Sequence, residues 1–171
     1  MGVVIGMGAA FTSDAIFFSS IRDETISPTE LRFLKLGSKI VWLGLSLITI
    51  SGLLILAEDP VKYLNSAKFL AKITIVFIII INGTVFHLVH IKRFHRHAST
   101  HFPSSDEFMR SVPLLLTSGV VSTTSWLGAL ILGAWREVPY SYFEIMTVYF
   151  VMLLSGITLT LLFNKRFIPS F

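Results

Sequence analysis

The sequence predicts an all-α fold, a polytopic transmembrane helical bundle of about five helices, on three observations. Hydrophobic residues make up 53% of the 171 residues and charged residues only 14%, where a soluble domain carries about a quarter charged. Mean hydropathy is +0.76. The apolar residues also come in blocks of about 20, the length that carries a helix across the hydrocarbon of a bilayer, rather than at the spacing of a soluble core. Five such blocks use roughly 100 positions, so residues 1–171 read as a single transmembrane domain. Any chemistry then sits inside the bundle or at its mouths.

The first span, about residues 3–21, closes at Arg22-Asp23-Glu24. No basic leader precedes Gly2 and Val3, so this helix either serves as its own insertion signal or follows a further upstream segment. Ser27-Pro28-Thr29-Glu30 is a capping box with proline at the first helical position, which starts a second helix about two turns before its embedded part at 40–57. The third helix starts near Ser66, with its span at about 70–91. Ser104-Ser105-Asp106-Glu107 announces the fourth, spanning about 112–135, and Ser141-Tyr142-Phe143-Glu144 the fifth, spanning about 142–163. The longest polar stretch, Arg93 to Arg110, is a loop.

Net charge is +4, and its distribution gives an orientation. One side of the membrane collects Arg22, Arg32, Lys35, Lys39, Lys92, Arg93, Arg96, Arg110, Lys165 and Arg166, and the other only Lys62, Lys68, Lys72 and Arg136. The positive-inside rule then places the C-terminus and the two longer loops in the cytoplasm and the N-terminus outside. Trp135, Tyr140 and Tyr142 form the outer aromatic belt, and Trp42 lies towards the inner one. The expected setting is the cell's inner or plasma membrane. The expected partners are the lipid bilayer, anionic head groups on the cytoplasmic side and further copies of the chain, with no nucleic acid.

The chain has no cysteine, which excludes disulfides, thiolate zinc sites, iron–sulfur clusters and cysteine nucleophiles. No phosphate loop, HExxH or GxSxG is present. Asp14 is the one acid within a span, in Phe11-Thr12-Ser13-Asp14-Ala15-Ile16-Phe17. A carboxylate there costs roughly 2.5–3.5 kcal/mol on insertion scales, so it should face the bundle interior. It reads as a proton relay or metal ligand, or as a structural contact, either neutral or paired with Lys39. The five histidines, His87, His90, His95, His97 and His101, fall within fifteen residues. His87 and His90 share a helix face at i, i+3 and lie at a depth similar to Asp14. An Asp14–His87–His90 metal site is therefore expected if the first and third helices touch. The last three histidines, with Lys92, Arg93 and Arg96, suit an interfacial basic loop. With all histidines on one helix and its tail, a haem would pair His87 with a methionine such as Met7 or Met152, or be shared across a dimer.

Lys68 and Lys72 at i, i+4 are explained by snorkelling to the outer interface, with the deeper Lys72 the better accessory to a cofactor. Asn82-Gly83-Thr84 lies mid-membrane, where its sequon cannot be glycosylated, and Gly83 suits close helix contact. Gly2-Val3-Val4-Ile5-Gly6 and the fourth helix's Thr117, Ser118, Ser122, Thr123, Thr124 and Ser125, with Gly119 and Gly128, read first as packing seams and second, in the fourth helix, as the lining of a wet path.

The small-residue and Phe-Phe ending of the first helix, Ser51-Gly52-Leu53-Leu54 in the second and Ser66-Ala67-Lys68-Phe69-Leu70-Ala71-Lys72 opening the third resemble the copper-resistance-D-like membrane proteins and the related HemJ-type protoporphyrinogen oxidases. The resemblance covers about Val3 to His90. It implies a small helical bundle handling copper, haem or a porphyrin, with the family's lysine falling on Lys72. The histidine that the family carries in its first helix would fall near Val4 or Ile5 and is absent. The leading functional expectation is thus a protein binding haem or a transition-metal ion within its bundle for redox chemistry or metal handling, with His87 and Lys72 toward a haem and Asp14, His87 and His90 toward a metal. The alternatives are a small proton-coupled transporter or channel using Asp14, and a non-catalytic membrane subunit.

Overall fold

The computed structural model describes residues 1–22, 27–91 and 106–167. Its elements are α1 (Gly2–Arg22), α2 (Pro28–Glu58), a short α3 (Pro60–Leu64), α4 (Ala67–Val85) running into a π-helical turn (Phe86–Ile91), α5 (Asp106–Ala134) and α6 (Tyr142–Phe167). No strand occurs among the described residues, so the chain is all-α. Among the described residues, four helices are long and apolar enough to cross a membrane, Pro28–Glu58, Ala67–Leu88, Pro113–Ala134 and Tyr142–Leu162, and α1 adds a shorter apolar stretch at Gly2–Phe17.

Local chemistry sets the helix starts. At α2 the Ser27 hydroxyl accepts from the Glu30 N–H at 3.2 Å, and the Glu30 carboxylate accepts from the Ser27 N–H at 2.7 Å. Ser141 and Glu144 close the same reciprocal cap on α6, at 3.4 and 2.8 Å. Each cap satisfies two donors that the first turn of a helix leaves without a partner. Ser66 caps α4 through the Phe69 N–H. Asp59 ends α2 and caps α3, accepting from the Lys62 N–H at 3.0 Å. Ser104 and Ser105 lie outside the described residues.

The outside of this bundle is apolar. Phe143 is 78% exposed and Leu162 71%, and such side chains recur along every long helix. An apolar exterior of this extent has no soluble explanation, and with the four long apolar helices it makes the chain an integral membrane protein.

Lipid-facing helices gain little from hiding apolar surface against one another, so association rests on close packing and interhelical hydrogen bonds. The closest packing is between α1 and α2, which run antiparallel. A Cβ added at Gly44 would lie 2.7 Å from the Gly6 Cα and 2.8 Å from the Gly2 carbonyl oxygen, so the two backbones meet with no room for any side chain. On its other flank Gly6 faces the Trp126 ring, which an added Cβ would enter at 2.1 Å. Trp126, 1% exposed, sits at the centre of a core of Leu45, Ile75, Ile79, Ala129 and Tyr149. The α1–α2 pair is thereby keyed onto α5, and α5 also packs against α4 and α6.

Polar contacts tie the second half together. The Ser125 hydroxyl meets the Tyr149 hydroxyl at 2.8 Å between α5 and α6, and Thr74 meets Tyr142 at 3.2 Å between α4 and α6. The Lys68 ammonium donates to the carbonyls of Trp135 and Arg136, just past the end of α5.

Gly44→Val is expected to destabilise the bundle by about 1–3 kcal/mol, the usual cost of overpacking a filled site. Gly52→Ala, whose added Cβ meets nothing within 4 Å, is expected to be neutral or slightly stabilising, since alanine is the better helix former. Reversible unfolding of both variants in detergent checks the contrast.

Candidate functional site

Although only the short α3 separates them in the chain, α2 and α4 barely touch. The gap between them, roofed by α1 and α5, is a cavity of about 380 Å³, within the size range of small-molecule sites. Its walls include Ser13 and Asp14 from α1, Ser38 from α2, Asn82 from α4, and Ser118, Ser122, Thr123 and Thr124 from α5. Asp14 is the only ionisable group among these lining residues.

The level of Asp14 follows from the glycine seam. The Ser13 hydroxyl lies against Gly37, 2.2 Å from where a Cβ would stand. Because α1 and α2 are antiparallel, Asp14 and Ser38 step from that contact in opposite directions by one residue each. They therefore lie within about one helical turn of each other in depth. Asp14 is half-buried, and among the described residues it has no hydrogen-bond or ion-pair partner. The pairing with Lys39 expected as its structural explanation is not formed.

His87 reaches the same level from the other side. Its Nδ1 lies 3.2 Å from the Ser38 hydroxyl, and its backbone belongs to the π-helical turn Phe86–Ile91. The wider turn re-aims the side chains that follow α4, and such bulges recur at functional positions. Asp14 and Ser38 thus share the wall of one cavity, and Ser38 in turn contacts His87, which does not line it. The side chain of His90, and His95, His97 and His101 entirely, lie outside the described residues. Among the described residues, no three His, Asp or Glu side chains gather closely enough to hold a metal ion.

A two-bond bridge between α4 and α5 forms part of the cavity wall. The Asn82 amide donates to the Ser118 carbonyl at 3.0 Å, and the Ser118 hydroxyl donates to the Asn82 side-chain oxygen at 2.9 Å. Gly83, expected at a helix contact, has nothing within 4 Å of its Cβ direction and lines the cavity instead. The small residues of α5 divide by face. Ser118, Ser122, Thr123 and Thr124 line the cavity. Ser125 and Gly128 pack, Ser125 against Tyr149 and Gly128 against Ile75 and Tyr149.

Lys72 lies elsewhere. It sits ten residues before Asn82, about 15 Å along the helix, in a separate apolar groove of about 270 Å³ between α2 and α4. Its ammonium is 3.6 Å from the Cβ direction of Gly133 near the end of α5. With Lys68 it places positive charge at a helix C-terminus, where the dipole favours it. Met7 packs against the core and Met152 lines a groove between α5 and α6, so neither methionine shares a cavity wall with Asp14. Ser38, Gly44 and Trp126 were not legible as site or seam residues. The nearest sequence signal is the seven-residue spacing of Gly37 and Gly44, two turns of one helix face.

Comparison with protein-family models, curated proteins and solved structures returns no match.

Asn82→Ala and Ser118→Ala should show a coupling of about 0.6 kcal/mol in a double-mutant cycle, and no more than about 1.7 kcal/mol, the range for hydrogen bonds between membrane helices. Unfolding of the two single variants and the double variant in detergent gives the measurement.

Proposed function

We propose that the chain is a small proton-coupled membrane transporter or channel in which Asp14 takes up and releases the proton. One observation carries this reading: a carboxyl within an apolar helix, with no partner among the described residues, lines a cavity walled by hydroxyls and an amide. An intramembrane acid is costly, and the cost is normally offset by a fixed partner when the role is structural. Among the described residues Asp14 has none, which supports a contribution through what it exchanges with the cavity. The serine and threonine hydroxyls of α5 can donate or accept hydrogen bonds, which suits a small polar solute or cation stripped of part of its water. The concentration of cations at one end of the bundle supports placing that end in the cytoplasm of an inner or plasma membrane, against anionic head groups.

The second reading is a transition-metal or haem site at the same place, in an oligomer if the ligands are shared between copies. The Ser38–His87 contact favours it, because it holds an imidazole against a residue that lines the same cavity as Asp14. A metal there would draw on Asp14, His87 and His90, with neutral imidazoles as ligands. A haem would draw on His87, and on Lys72 only if the helices rearranged, since that lysine faces another groove. The resemblance to copper- and porphyrin-handling membrane proteins points the same way.

Purified protein in liposomes, with a pH-sensitive dye inside and an imposed pH gradient, tests the first reading. The wild type is expected to dissipate the gradient, and Asp14→Asn to fold normally while falling to the rate of empty liposomes. Equal flux from the two proteins would remove Asp14 as the switch. Absorption spectra of the same preparations, before and after haem and then dithionite, test the second. A Soret band with reducible α and β bands that His87→Ala abolishes would make the haem reading primary.

A further inference from the structure

We infer that Ser38 and His87 form the route by which Asp14 exchanges its proton with the solution at the basic end of the bundle, an inference that rests on Asp14 being the proton-exchanging group. Three observations carry it. Ser38 lines the cavity that contains Asp14, within about one turn of it in depth. The Ser38 hydroxyl is in hydrogen-bonding contact with His87 Nδ1 at 3.2 Å. The helix opens into a π-turn over Phe86–Ile91, at the residues that carry His87 out of the cavity wall, and the His87 side chain is exposed.

The hydroxyls of Ser13, Ser122, Thr123 and Thr124 also line the cavity, but among the described residues Ser38 is the lining residue in contact with a histidine. Phe17, Leu34, Phe86, Leu115 and Leu116 are apolar and can neither donate nor accept a proton. The Asn82–Ser118 bridge has both side chains engaged with each other. Among the described residues, Lys35 and Lys39 are the charged groups within three residues of Ser38 on its own helix. Asp14 itself is the only ionisable group lining the cavity among the described residues.

The transfer balances without any redox partner. A proton leaves the Asp14 carboxyl and crosses the cavity through water, which the polar walls can hold. It reaches the Ser38 oxygen as the Ser38 hydroxyl passes its own proton to His87 Nδ1. A single O–H bond breaks and a single N–H bond forms at the serine–histidine step. The imidazolium then loses its Nε2 proton to solution, and the neutral ring is ready once its tautomer resets. Histidine suits this step because its unperturbed pKa lies near neutrality and each ring nitrogen handles one side of the transfer. His87 acts as a relay residue and Ser38 as the connection that positions it.

The experiment is a pH jump on the purified protein, following the protonated-carboxyl stretch of Asp14 by infrared difference spectroscopy, with Asp14→Asn assigning the band. Wild type is expected to reach its end point fast. His87→Ala is expected to reach the same end point on the order of 100-fold more slowly, the low end of what a positioned proton acceptor supplies. Added imidazole should restore the rate, and Ser38→Ala should be slowed without such rescue. A His87→Ala rate equal to wild type would overturn the relay and leave the Asp14 reading standing. A carboxyl that does not titrate at all would overturn both, and the liposome assay separates that case. His87→Gln, which keeps a polar side chain, guards against a folding defect and should be as slow as alanine.

Discussion

The contact on which the bundle depends is three-way: Gly44 of α2 against the Gly2 and Gly6 backbone of α1, with the Trp126 ring of α5 on the far side of Gly6. In a lipid solvent, apolar area gives helices little reason to prefer each other over acyl chains. What distinguishes one arrangement is how many atoms come into van der Waals contact, and backbone against backbone gives the densest contact available. Placing the largest fully buried side chain against that seam then fixes where α5 crosses the α1–α2 pair. From that crossing follow the position of α4 and α6, both of which pack on α5, and the gap that α2 and α4 leave between them.

The cavity is a consequence of this geometry. Two helices joined by a short α3 turn are ordinarily neighbours along their length, yet here the wedge of α1 and α5 keeps α2 and α4 apart at the basic end. Into the space so created project Asp14, Ser38 and the hydroxyl face of α5. The same seam that makes the fold therefore sets the depth of the acid, through Ser13 resting on Gly37. Substitutions in the seam are expected to disturb site and stability together. Substitutions of cavity-lining hydroxyls can separate the two, because those side chains face open space.

The two ends of the bundle have different electrostatic logic. At one end Lys68 and Lys72 gather at the C-terminus of α5, where Lys68 donates to the carbonyls of Trp135 and Arg136. This is a structural use of charge, favoured by the helix dipole. At the other end a single carboxyl faces a neutral polar cavity with a histidine beyond it.

The sequence by itself determined the all-α membrane architecture, because block length, apolar composition and capping residues are local and a bilayer leaves a helix few alternatives. It also singled out Asp14 and His87, since an acid in a span and a histidine at its edge are conspicuous by their cost alone. Only the tertiary structure decided which groups meet. Whether a small residue serves as seam or as cavity wall depends on the rotation of its helix. Gly6 and Gly44 turned out to pack, and Gly83 and Ser122 to line open space, although all are small residues within apolar runs. Lys72 was drawn to a separate groove because its helix presents it towards the end of α5. Ser38, one polar residue beside a glycine, acquired its place on the cavity wall, in contact with His87, from a helix arrangement that no single helix encodes.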